Sequence, residues 1–163
     1  MTIDPLGTPG STGIEVVSMV SEGGSRPHVV VGVDGSAESV GALRWAAGYA
    51  AATGTTISAV TAVGPAPVGV ALNAVSDEVR AHMQELLDKA LTEAFGTSTP
   101  DNMQTKIVYG HPANVLVKES GEADLLVVGH RGHGAFTGML VGSVGLHCVS
   151  SAMCPVVVVR GRS

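Results

Sequence analysis

Short apolar runs alternate with amphipathic stretches from His28 to the last valines of the chain. His28-Val29-Val30-Val31-Gly32-Val33 is apolar at nearly every position. That is the pattern of a strand buried on both faces. Asp34-Gly35-Ser36 breaks it. Ser36 predicts a helix N-cap, with Glu38 in the first turn where the helix dipole favours a negative charge. Val40, Leu43, Ala47 and Ala50 then share one helical face to about Ala52, and Gly54 is the expected stop. Thr55 to Val63 is rich in β-branched residues and predicts a second buried strand.

A loop through Gly64-Pro65-Ala66-Pro67 follows, long enough to suggest function or mobility. Ser76 is the expected cap of a second helix to about Phe95. Its apolar stripe is Val79, Met83, Leu86, Leu87, Ala90 and Ala94, read as core packing. Met103 to Tyr109 alternates more, as a strand near an edge does. Gly110-His111-Pro112 opens a short helix with proline in the first turn. Asp124 to Val128 predicts a fourth strand. A glycine-rich loop, a helix from about Gly142 to Ala152 and a strand over Pro155–Val159 complete the order β-α-β-α-β-α-β-α-β.

Strands alternating with helices imply an α/β fold: a doubly wound parallel sheet with helices on both faces. Right-handed crossovers leave few topologies. A ligand in such a sheet sits beyond the carboxyl ends of the strands, where strand order reverses. The residues just after strands one and four, Asp34 and the Gly129 loop, are therefore the expected site.

Composition narrows this picture. The 163 residues fit one domain, expected over 27–161, behind a flexible tail at 1–26 rich in Gly, Ser, Thr and Pro. Apolar residues at 45% and charged residues at 14% exclude a generally disordered chain. The net charge of −5 is the wrong sign for a duplex nucleic-acid or anionic-membrane partner. Trp45 to Ser76 lacks charge, but Thr53-Gly54-Thr55-Thr56 and Gly64-Pro65-Ala66-Pro67 interrupt it, so no membrane insertion is expected. Cys148 and Cys154 form neither a metal knuckle nor a disulfide framework, which fits a reducing compartment.

The loop Gly129-His130-Arg131-Gly132-His133-Gly134-Ala135-Phe136-Thr137-Gly138-Met139-Leu140-Val141-Gly142-Ser143 carries the candidate chemistry. Glycine lets backbone N–H groups turn toward an anion without a side chain in the way. Gly142-Ser143 stands where a helix begins, and a helix N-terminus suits phosphate. After Asp124 the chain has no acidic residue but has Arg131, Arg160 and Arg162. Arg131 is either a solvated loop charge or a phosphate partner. Neither the P-loop nor the dinucleotide fingerprint occurs.

Gly129-x2-Gly132-x9-Gly142-Ser143 resembles the ATP-binding signature of the universal stress protein family. Val31-Gly32-Val33-Asp34-Gly35-Ser36, Gly110-His111-Pro112-Ala113, Ala123 to Gly129 and Cys154-Pro155-Val156-Val157-Val158 are similar to that family too. The resemblance covers about His28 to Arg160. It implies a Rossmann-like five-stranded parallel sheet of order 3-2-1-4-5, a cytoplasmic homodimer paired through the strand at 155–160, and ATP as ligand. It also implies that Asp34 sits near the ribose or a phosphate-bound Mg²⁺, the candidate metal ligand. Val33, Val60, Thr61 and Ala62 would line the adenine pocket. Gly129 would approach the ribose, and Gly132, Gly142, Ser143 and Val144 would hold phosphates. Gly145 stands where many relatives have a small polar residue.

His130-Arg131-Gly132-His133 matches the HxGH string of nucleotidyl transferases, but it follows the fourth strand instead of the first. No Ser-His-Asp set or nucleophile elbow appears. Hydrolysis would need a group placed to activate water, and the loop offers histidines with no carboxylate but Asp34. The expectation is an ATP-binding regulatory or stress-response protein, at most a slow ATPase. The alternatives are an ATPase or nucleotidyl transferase, or a binder of another adenine nucleotide such as cyclic AMP.

Overall fold

The computed structural model describes residues 27–64, 77–133 and 141–161. The tail at 1–26, the Ser76 cap, the loop at 65–76, the stretch at 134–140 and Arg162 lie outside the described residues.

Five strands form one parallel sheet: β1 (His28–Gly32), β2 (Thr56–Val63), β3 (Met103–Tyr109), β4 (Leu125–Gly129) and β5 (Val156–Val159). Their order is β3-β2-β1-β4-β5, as the resemblance implied. Val30 pairs with Ser58 on one side and Leu126 on the other, so β1 is central. Alternation along the strands divides the core. Val29, Val31, Ile57, Ala59 and Val127 pack with Leu43, Ala46, Leu87 and Ala90 of α1 (Ala37–Thr53) and α2 (Asp77–Phe95). Val30, Val60, Leu126 and Val128 pack on the other face with Val115 and Leu116 of α3 (Pro112–Glu119) and Cys148 of α4 (Ser143–Ser151).

Local signals explain the element ends. Ser36 Oγ accepts the Ser39 N–H at 3.2 Å and caps α1. Gly54 ends that helix at φ 71°, where any Cβ is disfavoured. Pro112 occupies the first turn of α3. The edge position of β3 agrees with its exposed Gln104, Thr105 and Lys106. Lys106 pairs with Glu119 at 2.6 Å, and a lysine there guards an open edge.

The α2 stripe packs less completely than the sequence suggests. Leu87, Ala90 and Leu91 are buried, whereas Val79, Met83 and Leu86 are only half-buried. Leu91 joins the core from just outside the expected stripe. The short 3₁₀ turn at Ser120–Glu122 also follows α3 where the sequence gave no separate signal.

Candidate functional site

Strand order reverses between β1 and β4, and the crevice opens there, as expected for a doubly wound sheet. A cleft of about 300 Å³ lies at the carboxyl ends of the strands. Gly32 ends β1 and Val33 follows it, Val60 and Ala62 belong to β2, and Val128 and Gly129 end β4. Pro112 and Leu116 of α3 close one side. Arg131, Gly132 and His133 of the glycine loop, with Gly142 to Gly145 at the start of α4, form the other. The cleft is thus apolar at the sheet and polar at the helix terminus, a combination suited to a flat base joined to an anion.

The order of the chain at this point is set by small residues. A Cβ on Gly32 would lie 2.8 Å from Leu116 Cδ1, so glycine lets α3 close over the strand end. The Val33 N–H donates to Val60 O at 2.9 Å and holds β1 to β2 beyond the strand proper. Gly142 is buried and caps α4, its N–H donating to His130 O at 2.7 Å. The first helical bond of α4 runs from Leu146 N–H to Gly142 O at 2.9 Å. The N–H groups of Ser143, Val144 and Gly145 therefore precede the helical ladder and point their partial positive charge toward the cleft end.

Asp34 sits where the loops meet. Gly35, at φ 81°, turns the chain after β1. Asp34 Oδ1 accepts the Ser36 N–H at 3.0 Å and the Ser36 hydroxyl. Asp34 Oδ2 accepts the backbone N–H of His133 at 2.8 Å. Burial pushes the Asp34 carboxyl up, but the Ser36 hydroxyl, the Ser36 and His133 N–H groups and the Ser39 hydroxyl outweigh it, and the pKa falls below 3.8. The loop's own sequence holds no acid, yet the fold brings this carboxylate against it.

Of the expected site residues, Val33, Asp34, Val60, Ala62, Gly129, Arg131, Gly132, Gly142, Ser143 and Val144 all line the cleft. Thr61 does not. Strand alternation turns it to the face of Ile57 and Ala59, where it is 2% exposed and its hydroxyl has no hydrogen-bond partner among the described residues. Two signature glycines also have structural reasons. A Cβ on Gly129 would meet the Glu38 backbone, and a Cβ on Gly132 would strike Asp34 Oδ2. At Gly142 a Cβ would find only ordinary contacts, the nearest 3.6 Å away at Arg131 Cα. His130 is a junction residue: its N–H donates to Val159 O at 2.8 Å, its Nδ1 is buried, and it stands outside the cleft. Sequence reasoning missed Gly32, Ser39, Pro112, Leu116 and Val128 as lining residues. Only Gly32 carried a signal, as a small residue inside a valine run.

Among the described residues no group of three or more His, Cys, Asp or Glu side chains could hold a metal ion. No described helix is long and apolar enough to cross a membrane.

Comparison with known proteins agrees with this geometry. The profile of the universal stress protein family matches residues 26–160. A universal stress protein of Mycolicibacterium smegmatis is 34% identical over 140 residues, covering 82% of this chain and 48% of that protein. The chain spans about half the length of the curated relatives it matches. The structure of the universal stress protein UspA from Lactobacillus plantarum superposes with a TM-score of 0.67 at 27% identity, over 83% of this chain and 99% of that one. A universal stress protein crystallised in complex with cAMP gives a TM-score of 0.56 at 32% identity, over 83% of this chain and 97% of that one. With its profile, its relatives and its sheet order in agreement, the chain belongs to the universal stress protein family.

Proposed function

We propose that this chain is an adenine-nucleotide-binding regulatory protein, with ATP as its ligand. The observation that carries this reading is the convergence of Gly129, Gly132, Gly142 and Ser143 on one cleft at the N-terminus of α4. Val33, Val60, Ala62 and Leu116 offer an apolar slot for the base. Ser143, Val144 and Gly145 offer N–H donors to phosphate, and Arg131 lines the same cleft.

Binding is favoured over turnover. Among the described residues Asp34 is the carboxylate that lines the cleft, and hydrogen bonds hold it ionised below the usual range, which makes it a weak base. Mg²⁺, when present, would travel with the phosphates. Asp34 can supply it one oxygen by sharing Oδ2 with the His133 N–H.

Cyclic AMP is a second reading, favoured by the 32% identical relative that binds it. Titration calorimetry with ATP, ADP, AMP and cyclic AMP, with and without Mg²⁺, separates the two. Preference for ATP supports the first, preference for cyclic AMP supports the second, and binding of neither rejects both.

The reading extends to a cytoplasmic homodimer joined along β5. The β5 valines are all half-exposed at an open sheet edge. On α4 and just beyond it, Leu146, Val149 and Met153 are 57%, 56% and 78% exposed. An apolar edge of this kind calls for cover. Both cysteines are free thiols, in keeping with a reducing compartment. The domain is taken as 27–161, with 1–26 as a tail.

A further inference from the structure

Asp34 has its oxygens turned to protein donors. Oδ1 is held by the N–H and hydroxyl of Ser36, two residues along in the same turn. Oδ2 accepts the His133 N–H at 2.8 Å and lies within clashing distance of where a Cβ on Gly132 would stand. A side chain just beyond β1 thus holds the His133 backbone and stands close against Gly132 in the loop that follows β4. A carboxylate has about four acceptor positions, and these contacts occupy most of them.

We infer that Asp34 is a positioning residue for the glycine loop: it fixes the Gly132–His133 backbone as a wall of the cleft before any ligand arrives. This deepens the nucleotide reading and rests on it for the ligand. Fixing the wall in advance removes an ordering cost from binding. The role makes a demand opposite to simple electrostatics. A carboxylate beside an anion repels it, so deleting that charge alone should tighten phosphate binding. Deleting the contact that sets the loop should weaken it.

The probe is inorganic triphosphate without divalent cation. It has no ribose or base, so a contact from Asp34 to those parts cannot enter the result. Asp34→Asn and Asp34→Ala are compared with the wild type. In either orientation the Asn amide sets its NH₂ against a backbone N–H, of Ser36 or of His133. For Asp34→Ala, which removes the His133 acceptor in any rotamer, the expected result is amide hydrogen exchange at His133 faster by about tenfold or more in the free protein, together with triphosphate affinity lower by about tenfold, the scale of a lost hydrogen bond to a charged group.

Ser36→Ala guards against general destabilisation. It removes the α1 cap and leaves Oδ2 in place, so it should lower the melting temperature without a matching rise in His133 exchange. Gly132→Ala supplies an independent arm. It should cost affinity in the wild type and add little in the Asp34→Ala background, where the colliding oxygen is gone. Unchanged His133 exchange in both Asp34 variants, or triphosphate binding that is unchanged or tighter, would overturn the positioning role. A wild type that takes up neither triphosphate nor nucleotide would instead sink the nucleotide reading, and the exchange result would still decide whether Asp34 holds the loop.

Discussion

A Cβ at Gly129 would lie 2.8 Å from both the carbonyl carbon and the Cβ of Glu38. The first turn of α1 therefore rests directly on the end of β4. Helix backbone cannot yield as a side-chain tip can, so Gly129→Ala should destabilise the fold by about 1–3 kcal/mol, the usual cost of overpacking. Gly142→Ala should behave differently. Gly142 has φ −67° and ψ 163°, which alanine adopts freely, and its Cβ would meet nothing closer than 3.6 Å. Its cost in stability should be about 1 kcal/mol or less, the difference between helix caps, while nucleotide affinity falls. Urea midpoints and a binding isotherm for each variant check this separation.

Acid should expose the Asp34 contacts in stability. The folded pKa lies below the unfolded value of 3.8. The stabilisation is therefore complete above 3.8 and is lost as pH falls through the folded value. Thermal unfolding followed downward from pH 5 should show the wild type losing stability more steeply than Asp34→Asn, which has no proton to take up at this position. Parallel curves would contradict the assignment.

The proposed dimer has a direct check. Leu146 and Val149 lie one turn apart on α4 and are each more than half exposed in the single chain. The double variant Leu146→Glu, Val149→Glu should shift sedimentation velocity from dimer to monomer and keep the circular dichroism of the fold. A wild type that sediments as a monomer would remove the dimer.

Cys148, on the sheet-facing side of α4, is fully buried, and burial pushes its thiol up to about 11. The thiolate is the nucleophile, so this cysteine should resist iodoacetamide near neutral pH until the protein unfolds. Mass mapping of alkylated peptides, native against urea-unfolded, reads this out.

The strands were legible because a parallel sheet buried on both faces demands unbroken apolar runs, and β1, β2 and β4 supply them. The α1 boundaries were legible because Ser36 and Gly54 each do one local job. Thr61 falls outside the cleft because a run of buried residues hides which face each one takes, and period two turns it from the cleft that Val60 and Ala62 line. Leu116 and Pro112 gave no sign of their place in the site, because α3 reaches it only through tertiary packing over Gly32. The glycine signature lies on the loop that lines the cleft. Its spacing could not reveal that Gly129 answers to α1 and Gly132 to Asp34, since both contacts join segments about a hundred residues apart.

Nucleotide carried by the purified protein is the most direct measure of the function proposed for the cleft. Protein and a Gly142→Ala, Ser143→Ala double variant are denatured, and the released nucleotide is identified by chromatography and mass spectrometry. The expected result is an adenine nucleotide, ATP foremost, from the wild type and none from the variant. No nucleotide from either protein, with none taken up when ATP or cyclic AMP is added, would contradict nucleotide binding at this loop.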